Sequence, residues 1–248
     1  MAESYPAPQA IHHELRTAEN SATHVLEKLQ SIKKANPRLS LLDVGAGSGT
    51  ISVSFAKAIP DCHVTAVDLN PGILPRAQAI ADMAGVKNIE FQQGDIYKLP
   101  FADGTLDVTS CHQVLTHLKA PCNALREMLR VTKPGGIVAA REGDLETECV
   151  WPELPGLAKF HKFAVGMMNA TGGTSTGGRQ LLSWALKAGA KQDQITRQWW
   201  SEFEVAGCAK SGLATENDFE DMAKDWEEWV QREDASLAMM HGEILIQR

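Results

Sequence analysis

Short apolar runs alternate with amphipathic stretches along most of the chain. The run LSLLDV (39–44) is followed by TISVSFAKAI (50–59), whose apolar side chains recur at helical spacing. The alternation continues through the runs HVTAVDL, IEFQQGD, LDVTSC and GGIVAARE, with two further helical stretches between them. Strands and helices alternating at this pitch predict a parallel sheet covered by helices on both faces, in the doubly wound α/β class.

Further elements are predicted on either side of this pattern. Residues 11–35 form an amphipathic leading helix, residues 180–190 a helix ended by Gly189, and residues 194–205 and 241–248 two strands. The stretch 217–240 predicts another amphipathic helix. Its apolar face, which we expect to pack in a core, carries Phe219, Met222, Trp226, Trp229 and Val230.

The strand–helix pattern fails between residues 143 and 178. Trp151, Pro152, Pro155 and the stretch TGGTSTGGR predict an inserted cap followed by a flexible loop. At 248 residues, the chain favours a single domain. Its parts are an N-terminal lid helix (1–38), a ligand-binding half (39–142), the cap (143–178) and the C-terminal half of the sheet (179–248).

Charge and composition limit the plausible partners. With 31 acidic and 24 basic residues, the formal net charge is -7, so general attraction to nucleic acid or to anionic membranes is not expected. No window has the apolar length that crosses a bilayer, and the N-terminus lacks a signal-peptide pattern. We therefore expect a cytoplasmic protein that acts on a small molecule, with no nucleic acid, no membrane and no obligate protein partner.

The stretch LLDVGAGSGT (41–50) has the composition of a nucleotide-binding turn. An apolar strand carrying Asp43 leads into glycines at 45, 47 and 49, and a helix begins near Thr50. The first turn of a helix offers unpaired N–H groups and a positive dipole end. The dinucleotide fingerprint needs a glycine where this chain has Thr50, so the turn favours another nucleotide ligand.

Two further acids follow the next two predicted strands. Asp68 closes HVTAVD, where its carboxylate can accept hydrogen bonds from both hydroxyls of a ribose. Asp95 follows the third strand, where it can accept a hydrogen bond from an adenine amine while Ile96 packs on the ring. The sequence therefore predicts a nucleoside site at the tips of three successive strands.

Through LLDVGAGSGT, VTAVDLNPG, GDIYKLPF, LDVTSCHQVLTHL and LRVTKPGGIVAARE, the chain resembles the class I S-adenosylmethionine-dependent methyltransferases. The resemblance implies a Rossmann-like, seven-stranded sheet, mostly parallel, with an antiparallel last strand (EILIQR). It assigns the methionine end of S-adenosylmethionine to Asp43, Gly45 and Gly47, the ribose to Asp68, and the adenine to Asp95 and Ile96. Neighbouring positions expected at this site are Ala46, Leu69, Asn70, His112 and Gln113.

The residues around the methyl acceptor are less well defined. His112 follows the fourth strand and is a candidate general base, although a structural histidine fits equally well. His117 is interpreted as structural, and a spacing of five residues does not place the two histidines on one helix face as a metal pair. Candidate lid and substrate residues are His12, His13, Arg16 and Thr17 on the leading helix and Trp151, Phe163 and Met167 in the cap.

The overall pattern resembles the small-molecule branch of these enzymes, which includes ubiquinone and menaquinone methyltransferases and fungal secondary-metabolite enzymes. YPAPQAIHHELRTAENSA and HGEILIQR are similar to fungal thiol methyltransferases of epidithiodioxopiperazine (gliotoxin-type) metabolism. This resemblance implies S-methylation of a dithiol metabolite. Alternatives are O- or C-methylation of a quinol or phenol, an NAD-dependent oxidoreductase, and a noncatalytic cofactor-binding protein. Pro121-Cys122, which is similar to the nucleophile of cytosine methyltransferases, also fits a helix start.

Overall fold

A seven-stranded sheet lies at the centre of the computed structural model, which describes residues 14–202, 216–232 and 236–248. The strand order is β3-β2-β1-β4-β5-β7-β6, and β7 runs antiparallel to both of its neighbours. This confirms the predicted fold class. The strands are β1 (Ser40–Val44), β2 (His63–Asp68), β3 (Ile89–Gln93), β4 (Leu106–His112), β5 (Thr132–Trp151), β6 (Ile195–Glu202) and β7 (Ser236–Gln247).

Helices cover both faces of the sheet. They are α1 (Ala18–Ser21), α2 (Thr23–Ala35), α3 (Thr50–Ala58), α4 (Leu74–Met83), α5 (Pro121–Val131), α6 (Pro155–Ala170), α7 (Gly177–Ala188) and α8 (Glu216–Val230). Two 3₁₀ turns lie at Leu115–His117 and Gln192–Gln194. Pro121 lies in the first turn of α5 as predicted, and Gly189 ends α7 in the left-handed conformation. None of the helices in the described ranges has the length and apolar character required to cross a bilayer.

Successive strand residues point to opposite faces and build two separate cores. Leu41 and Leu245 pack with the helices α1 to α4, whereas Leu42 and Ile244 pack with α5 and α7. Burying one such side chain contributes about 2 kcal/mol relative to leaving it in water. Because helices cover both faces, a ligand can reach the sheet only along its perimeter. The carboxyl ends of the parallel strands form one part of that perimeter.

Strand β5 is longer than the sequence indicated. The prediction ended at Glu142, where the cap was expected to begin, but the strand continues to Trp151 and the cap helix starts at Pro155. This extension pairs with residues 236–240, which were predicted as the end of a helix. Charged residues alternate along the extension, so it lacks the apolar signature of a sheet strand.

The leading helix is interrupted. Ala22 has φ −145° and ψ 32°, which separates α1 from α2. Just before this break, the Asn20 side chain accepts a hydrogen bond from the Thr17 N–H at 2.7 Å. The chain therefore turns at this point, and Ala18 and Ala22 are buried in the same core as Val53 and Phe55 of α3.

The described part of the apolar face of α8 packs in a third core, as predicted, and the side chains of Phe219 and Val230 lie outside the described residues. Trp229 is buried beside Leu157 and Leu237, and Trp226 lies edge-on to it at 5.3 Å between ring centroids. Phe160 of α6 contacts Trp226 in the same geometry at 5.6 Å. The structure thus uses these aromatic side chains to attach the cap helix to the β5–β7 extension.

Candidate functional site

A cleft of about 350 Å³ opens at the carboxyl ends of β1, β2 and β4. Residues predicted from the sequence that line it are Arg16, Asp43, Gly45, Ala46, Gly47, Asp68, His112 and Gln113. Residues that the sequence analysis did not assign to a ligand site also line it, namely Ser48, Thr50, Ile51, Ile73 and His117. The cleft therefore joins the glycine turn, the second strand tip and the segment after the fourth strand.

The glycine turn is shaped for close approach. Gly45 and Gly47 both have positive φ angles, +76° and +54°. A Cβ at Gly45 would overlap the Val114 side chain, whereas the position of a Cβ at Gly47 has no protein atom within 4 Å. A glycine is thus required at position 45 because a side chain there would overlap Val114. At position 47, glycine leaves the backbone exposed to the cleft.

Asp43 is a buried carboxylate at the inner end of the cleft. It is 4% exposed and accepts a hydrogen bond from the Ser52 hydroxyl at 2.5 Å. Burial, opposed by the Ser52 hydrogen bond and reinforced by the nearby negative charge of Asp68, raises the pKa of Asp43 to about 6. A positively charged ligand group beside Asp43 would relieve this electrostatic penalty.

Asp68 is held in a fixed orientation by two backbone groups. One carboxylate oxygen accepts the Gly47 N–H at 2.9 Å and the other accepts the Asn70 N–H at 2.9 Å. A carboxylate offers about four acceptor positions. Asp68 therefore retains acceptor capacity for a diol while it ties the glycine turn to the end of β2.

The segment 112–117, here called the post-β4 wall, closes the opposite side of the cleft. Burial, followed by the positive charges of Arg16 and Arg141, holds the pKa of His112 well below its ordinary value. Burial and Arg16 also lower the pKa of His117. Both imidazoles are therefore neutral at pH 7, and both are weak bases.

Gln113 lies on the cleft but uses its side chain elsewhere. Its φ is +55°, an uncommon conformation for a residue other than glycine. Its amide contacts His241 Nδ1 at 3.0 Å and accepts the Gly143 N–H at 3.2 Å. The Gln113 side chain thus braces the wall against β5 and β7, and the cofactor contact predicted for this residue stays a prediction.

The N-terminal strap, residues 14–17, lies beside the cleft and contributes Arg16 to its lining. Glu14 forms a two-pronged ion pair with Arg76 of α4, with both N···O distances at 2.7 Å. On the other side of the strap, Glu19 accepts a hydrogen bond from Ser54 of α3. The strap is therefore attached to α4 through Glu14, and the helix α1 that follows it is attached to α3 through Glu19. His12 and His13 lie outside the described residues.

Several predicted cofactor residues do not line the cleft. The exposed carboxylate of Asp95 accepts the Tyr97 N–H at 2.9 Å in a local turn, and Ile96 is buried in the core. Leu69 points to solvent, and the Asn70 side chain accepts the Gly72 N–H. These side chains satisfy local turn geometry or packing, and the cofactor roles predicted for them stay predictions.

The predicted lid and cap residues are also dispersed. Thr17 precedes α1, where its N–H is bonded to Asn20. Trp151 is 59% exposed at the end of β5, and Phe163 lines a separate groove along α6. Met167 is half-buried on the same helix and does not line the cleft. The described residues contain no group of three or more His, Cys, Asp or Glu side chains arranged for a metal ion.

Comparison with known proteins identifies the family. Residues 35–197 match the family described as "Methyltransferase domain". An uncharacterised methyltransferase of Schizosaccharomyces pombe is 31% identical over 95% of this chain and 92% of its own. The chain belongs to this methyltransferase family. A ubiquinone/menaquinone biosynthesis C-methyltransferase of Bdellovibrio bacteriovorus is 30% identical over 66% of this chain and 67% of its own.

The fold of this methyltransferase agrees with that of solved structures. The YcgJ protein of Bacillus subtilis superposes with a TM-score of 0.57, at 20% identity, over 91% of this chain and 99% of its own. The protein is an S-adenosylmethionine-dependent methyltransferase, as the motifs predicted, and the oxidoreductase alternative is set aside. The cleft fits this cofactor chemically, because it presents acids toward an ammonium and a ribose and the guanidinium-bearing Arg16 toward the same space.

Proposed function

We propose that the cleft holds S-adenosylmethionine along the glycine turn. Asp43 and the backbone of residues 45–47 would hold the amino-acid end, and Asp68 would accept hydrogen bonds from the ribose. The bare backbone at Gly47, the raised pKa of Asp43 and the fixed carboxylate of Asp68 support this assignment. Asp95 and Ile96 remain a prediction for the adenine.

The bound cofactor supplies a methyl group activated by a sulfonium. The protein's part in such a displacement is to align the acceptor and to exclude water. The strap and the post-β4 wall carry out this role by enclosing the cleft from two sides. His112, which lines the cleft at the end of β4, is the candidate for contact with the acceptor's proton.

We infer further that the acceptor is a thiol of a small apolar metabolite. The observation that supports this inference is the lowered pKa of His112, which makes it a weak base. A thiol with a pKa near 8.5 is already partly ionised at neutral pH, whereas a phenol near 10 needs a stronger base. An acceptor that ionises without help from a base therefore fits best with the weakly basic residues of the wall.

C-methylation of a quinol or phenol is the second candidate. It is favoured by the similarity to the Bdellovibrio enzyme, which is named as a C-methyltransferase of ubiquinone and menaquinone biosynthesis. When a ring carbon takes the methyl group, it then loses its proton, and the return of aromaticity makes a weak base sufficient to accept that proton. The two candidates therefore differ in the acceptor atom and share the same weakly basic wall.

The test begins with isothermal titration of S-adenosylhomocysteine. Turnover is then measured with a panel of apolar dithiols, phenols and quinols, with mass spectrometry locating the added methyl. We expect binding, and turnover with dithiols. Turnover with quinols alone would transfer the proposal to C- or O-methylation, and binding without turnover over the whole panel would favour a noncatalytic protein.

The variant His112→Ala refines this test. With thiols, we expect it to change turnover by less than about tenfold, because the acceptor ionises without it. With phenols, any basal turnover should fall by more. A large loss with thiols at high pH, where they are fully ionised, would contradict the role given to the thiolate.

A further inference from the structure

Three consecutive residues of β5 hold the post-β4 wall in place. The carbonyl of Arg141 accepts the Gln113 N–H at 2.9 Å, and the Gly143 N–H donates to the Gln113 side chain at 3.2 Å. Between them, Glu142 points its carboxylate at the next part of the wall. The position of the wall relative to the cleft therefore depends on this short stretch of strand.

The Glu142 carboxylate accepts three backbone hydrogen bonds. One oxygen accepts the N–H groups of Val114 at 3.0 Å and Leu115 at 2.7 Å, and the other accepts the Thr116 N–H at 3.2 Å. Glu142 is fully buried, and its side chain packs against Gly177 of α7. Water cannot easily replace this carboxylate, so its loss would leave several backbone donors unpaired.

We propose that Glu142 is a positioning residue of the cofactor cleft, whose ionised carboxylate holds the post-β4 wall and whose protonation releases it. The inference rests on the proposed cofactor site, since the wall matters only if the cleft binds the cofactor. Gln113 adds to the argument, because its positive φ is a conformation that persists only where surrounding contacts enforce it.

Protonation weakens these contacts for a simple reason. A neutral carboxyl carries an O–H donor, and a donor facing an N–H group cannot accept its hydrogen bond. Burial raises the pKa of Glu142 to about 7, although the three backbone hydrogen bonds and the positive charge of Arg16 oppose the rise. The wall should therefore be fully held above neutral pH and loosened below it.

Other charged or titratable groups surround Glu142 and enter the design of the test. They are Arg16 of the strap, Cys111 and His112 of β4, and His117 of the wall. The ion pair between Asp144 of β5 and Arg179 of α7 also lies nearby. Asp43, across the cleft, titrates near pH 6. A pH effect in the wild type alone thus has several possible sources, and a variant that removes only the Glu142 titration is needed.

The test follows the amide signals of residues 114–116 by NMR between about pH 5.5 and pH 8.5. In the wild type we expect these ¹⁵N and ¹H shifts to titrate together near the pKa of Glu142. In Glu142→Gln they should not titrate, because the amide side chain has no proton to lose. Should Glu142→Gln fail to fold, Glu142→Asp retains a titrating group whose shorter reach should weaken the shift change.

Glu127→Gln is the matched control. Glu127 also accepts a backbone hydrogen bond, from the Leu99 N–H at 2.8 Å, but it lies on α5, outside the wall. We expect this variant to retain the wild-type titration of residues 114–116. Wall amides that do not titrate in the wild type, or that titrate equally in Glu142→Gln, would overturn the inference.

Affinity for S-adenosylhomocysteine links the wall to the cleft. Between about pH 8 and pH 6, we expect the wild type to lose about three- to tenfold more affinity than Glu142→Gln, the equivalent of one or two hydrogen bonds. Equal losses would show that the wall moves without affecting the cleft, which would overturn the positioning role. No binding at any pH would refute the cofactor site instead, while the amide titration would still report on Glu142.

Discussion

At the scale of single residues, Asp68 has two tasks that one substitution removes together. Asp68→Ala deletes the acceptor proposed for the ribose and the acceptor of the Gly47 N–H. We expect S-adenosylhomocysteine to bind at least about tenfold more weakly, because an unmet buried hydrogen-bonding group costs about 1–3 kcal/mol. Isothermal titration measures this change.

Two further variants at acid positions complete that experiment. Asp68→Asn keeps the size of the side chain and one acceptor oxygen, so its loss of affinity should be intermediate. Asp95→Ala should also weaken binding, because the Asp95 carboxylate accepts one N–H, from Tyr97, and keeps acceptor positions for the adenine amine. Unchanged affinity of Asp95→Ala would remove Asp95 from the site, and unchanged affinity of Asp68→Ala would remove Asp68.

Asp43 predicts a pH dependence of cofactor binding. Its pKa of about 6 in the free protein should fall when a ligand ammonium lies beside it. Affinity for S-adenosylhomocysteine should therefore decline as the pH drops below about 6, because binding must then expel a proton. The isosteric variant Asp43→Asn should bind weakly at every pH and lose this dependence. A parallel decline in that variant would show that another group is responsible.

Cleft residues could be predicted from the sequence where they belong to motifs that follow one another in a fixed order along the chain. Asp43, Gly47 and Asp68 follow from strands that end in acids around a glycine turn. The same rule assigns Asp95, whose carboxylate accepts a hydrogen bond within a local turn and whose adenine role stays a prediction. The place of His117 in the cleft could not be predicted from the sequence, because only the packed conformation of the post-β4 wall shows that it faces the cleft.

At the scale of elements, an ion pair fixes one end of the N-terminal strap. Glu14→Gln removes the pairing with Arg76, which joins the strap to α4. Both side chains are partly exposed, so we expect a modest effect: an increase of about two- to fivefold in the dissociation rate of S-adenosylhomocysteine. Stopped-flow displacement measures this rate. The effect should shrink as ionic strength rises.

A surface ion pair away from the cleft provides the control for the strap. Lys33 of α2 and Asp61 lie 3.3 Å apart, and Asp61→Asn removes a charge without touching the strap. The dissociation rate should not change in this variant. If Asp61→Asn accelerates release as much as Glu14→Gln does, a general change in surface charge is the cause and the strap has no retaining role.

The elements that the sequence predicted best include the strands β1, β2 and β4, which are buried on both faces. They were predicted within a few residues. The β5–β7 extension was missed because acids alternate along β5, among them Glu142, Asp144, Glu146 and Glu148. Three of these acids have distant partners: Asp144 forms an ion pair with Arg179, Glu146 accepts a hydrogen bond from the Ser175 hydroxyl, and Glu148 lies 3.1 Å from His161 Nδ1. Sequence periodicity does not contain such tertiary pairing.

At the scale of the whole molecule, a polar row crosses the sheet beneath the leading helices. The register places His112 opposite Arg141, and Arg141 opposite Glu243, on three neighbouring strands. Arg141 reaches the carbonyl of Asn20 at 3.3 Å, and His24 of α2 lies 3.2 Å from Glu243. The row begins at the cleft, so the protein places ionisable groups in its interior where an apolar core would be more stable.

Buried acids impose a measurable cost on the folded state. The pKa of Glu142 is about 7 in the folded protein against an ordinary value of 4.5, so folding takes up a proton between these values. The stability that this group contributes is present below pH 4.5 and is lost as the pH rises through about 7. The loss amounts to no more than about 3 kcal/mol. Asp43 acts in the same direction on a smaller scale.

Glu142→Gln should therefore change the pH dependence of stability with a defined sign. The variant has no proton to release. The difference between its free energy of unfolding and that of the wild type, measured by urea denaturation, should therefore shift in favour of the variant from about pH 5 to pH 8. The absolute value can lie on either side of the wild type, because the amide also loses the Thr116 N–H bond. A difference that stays constant across this pH range would mean that Glu142 is not titrating, and would weaken the wall mechanism together with this prediction.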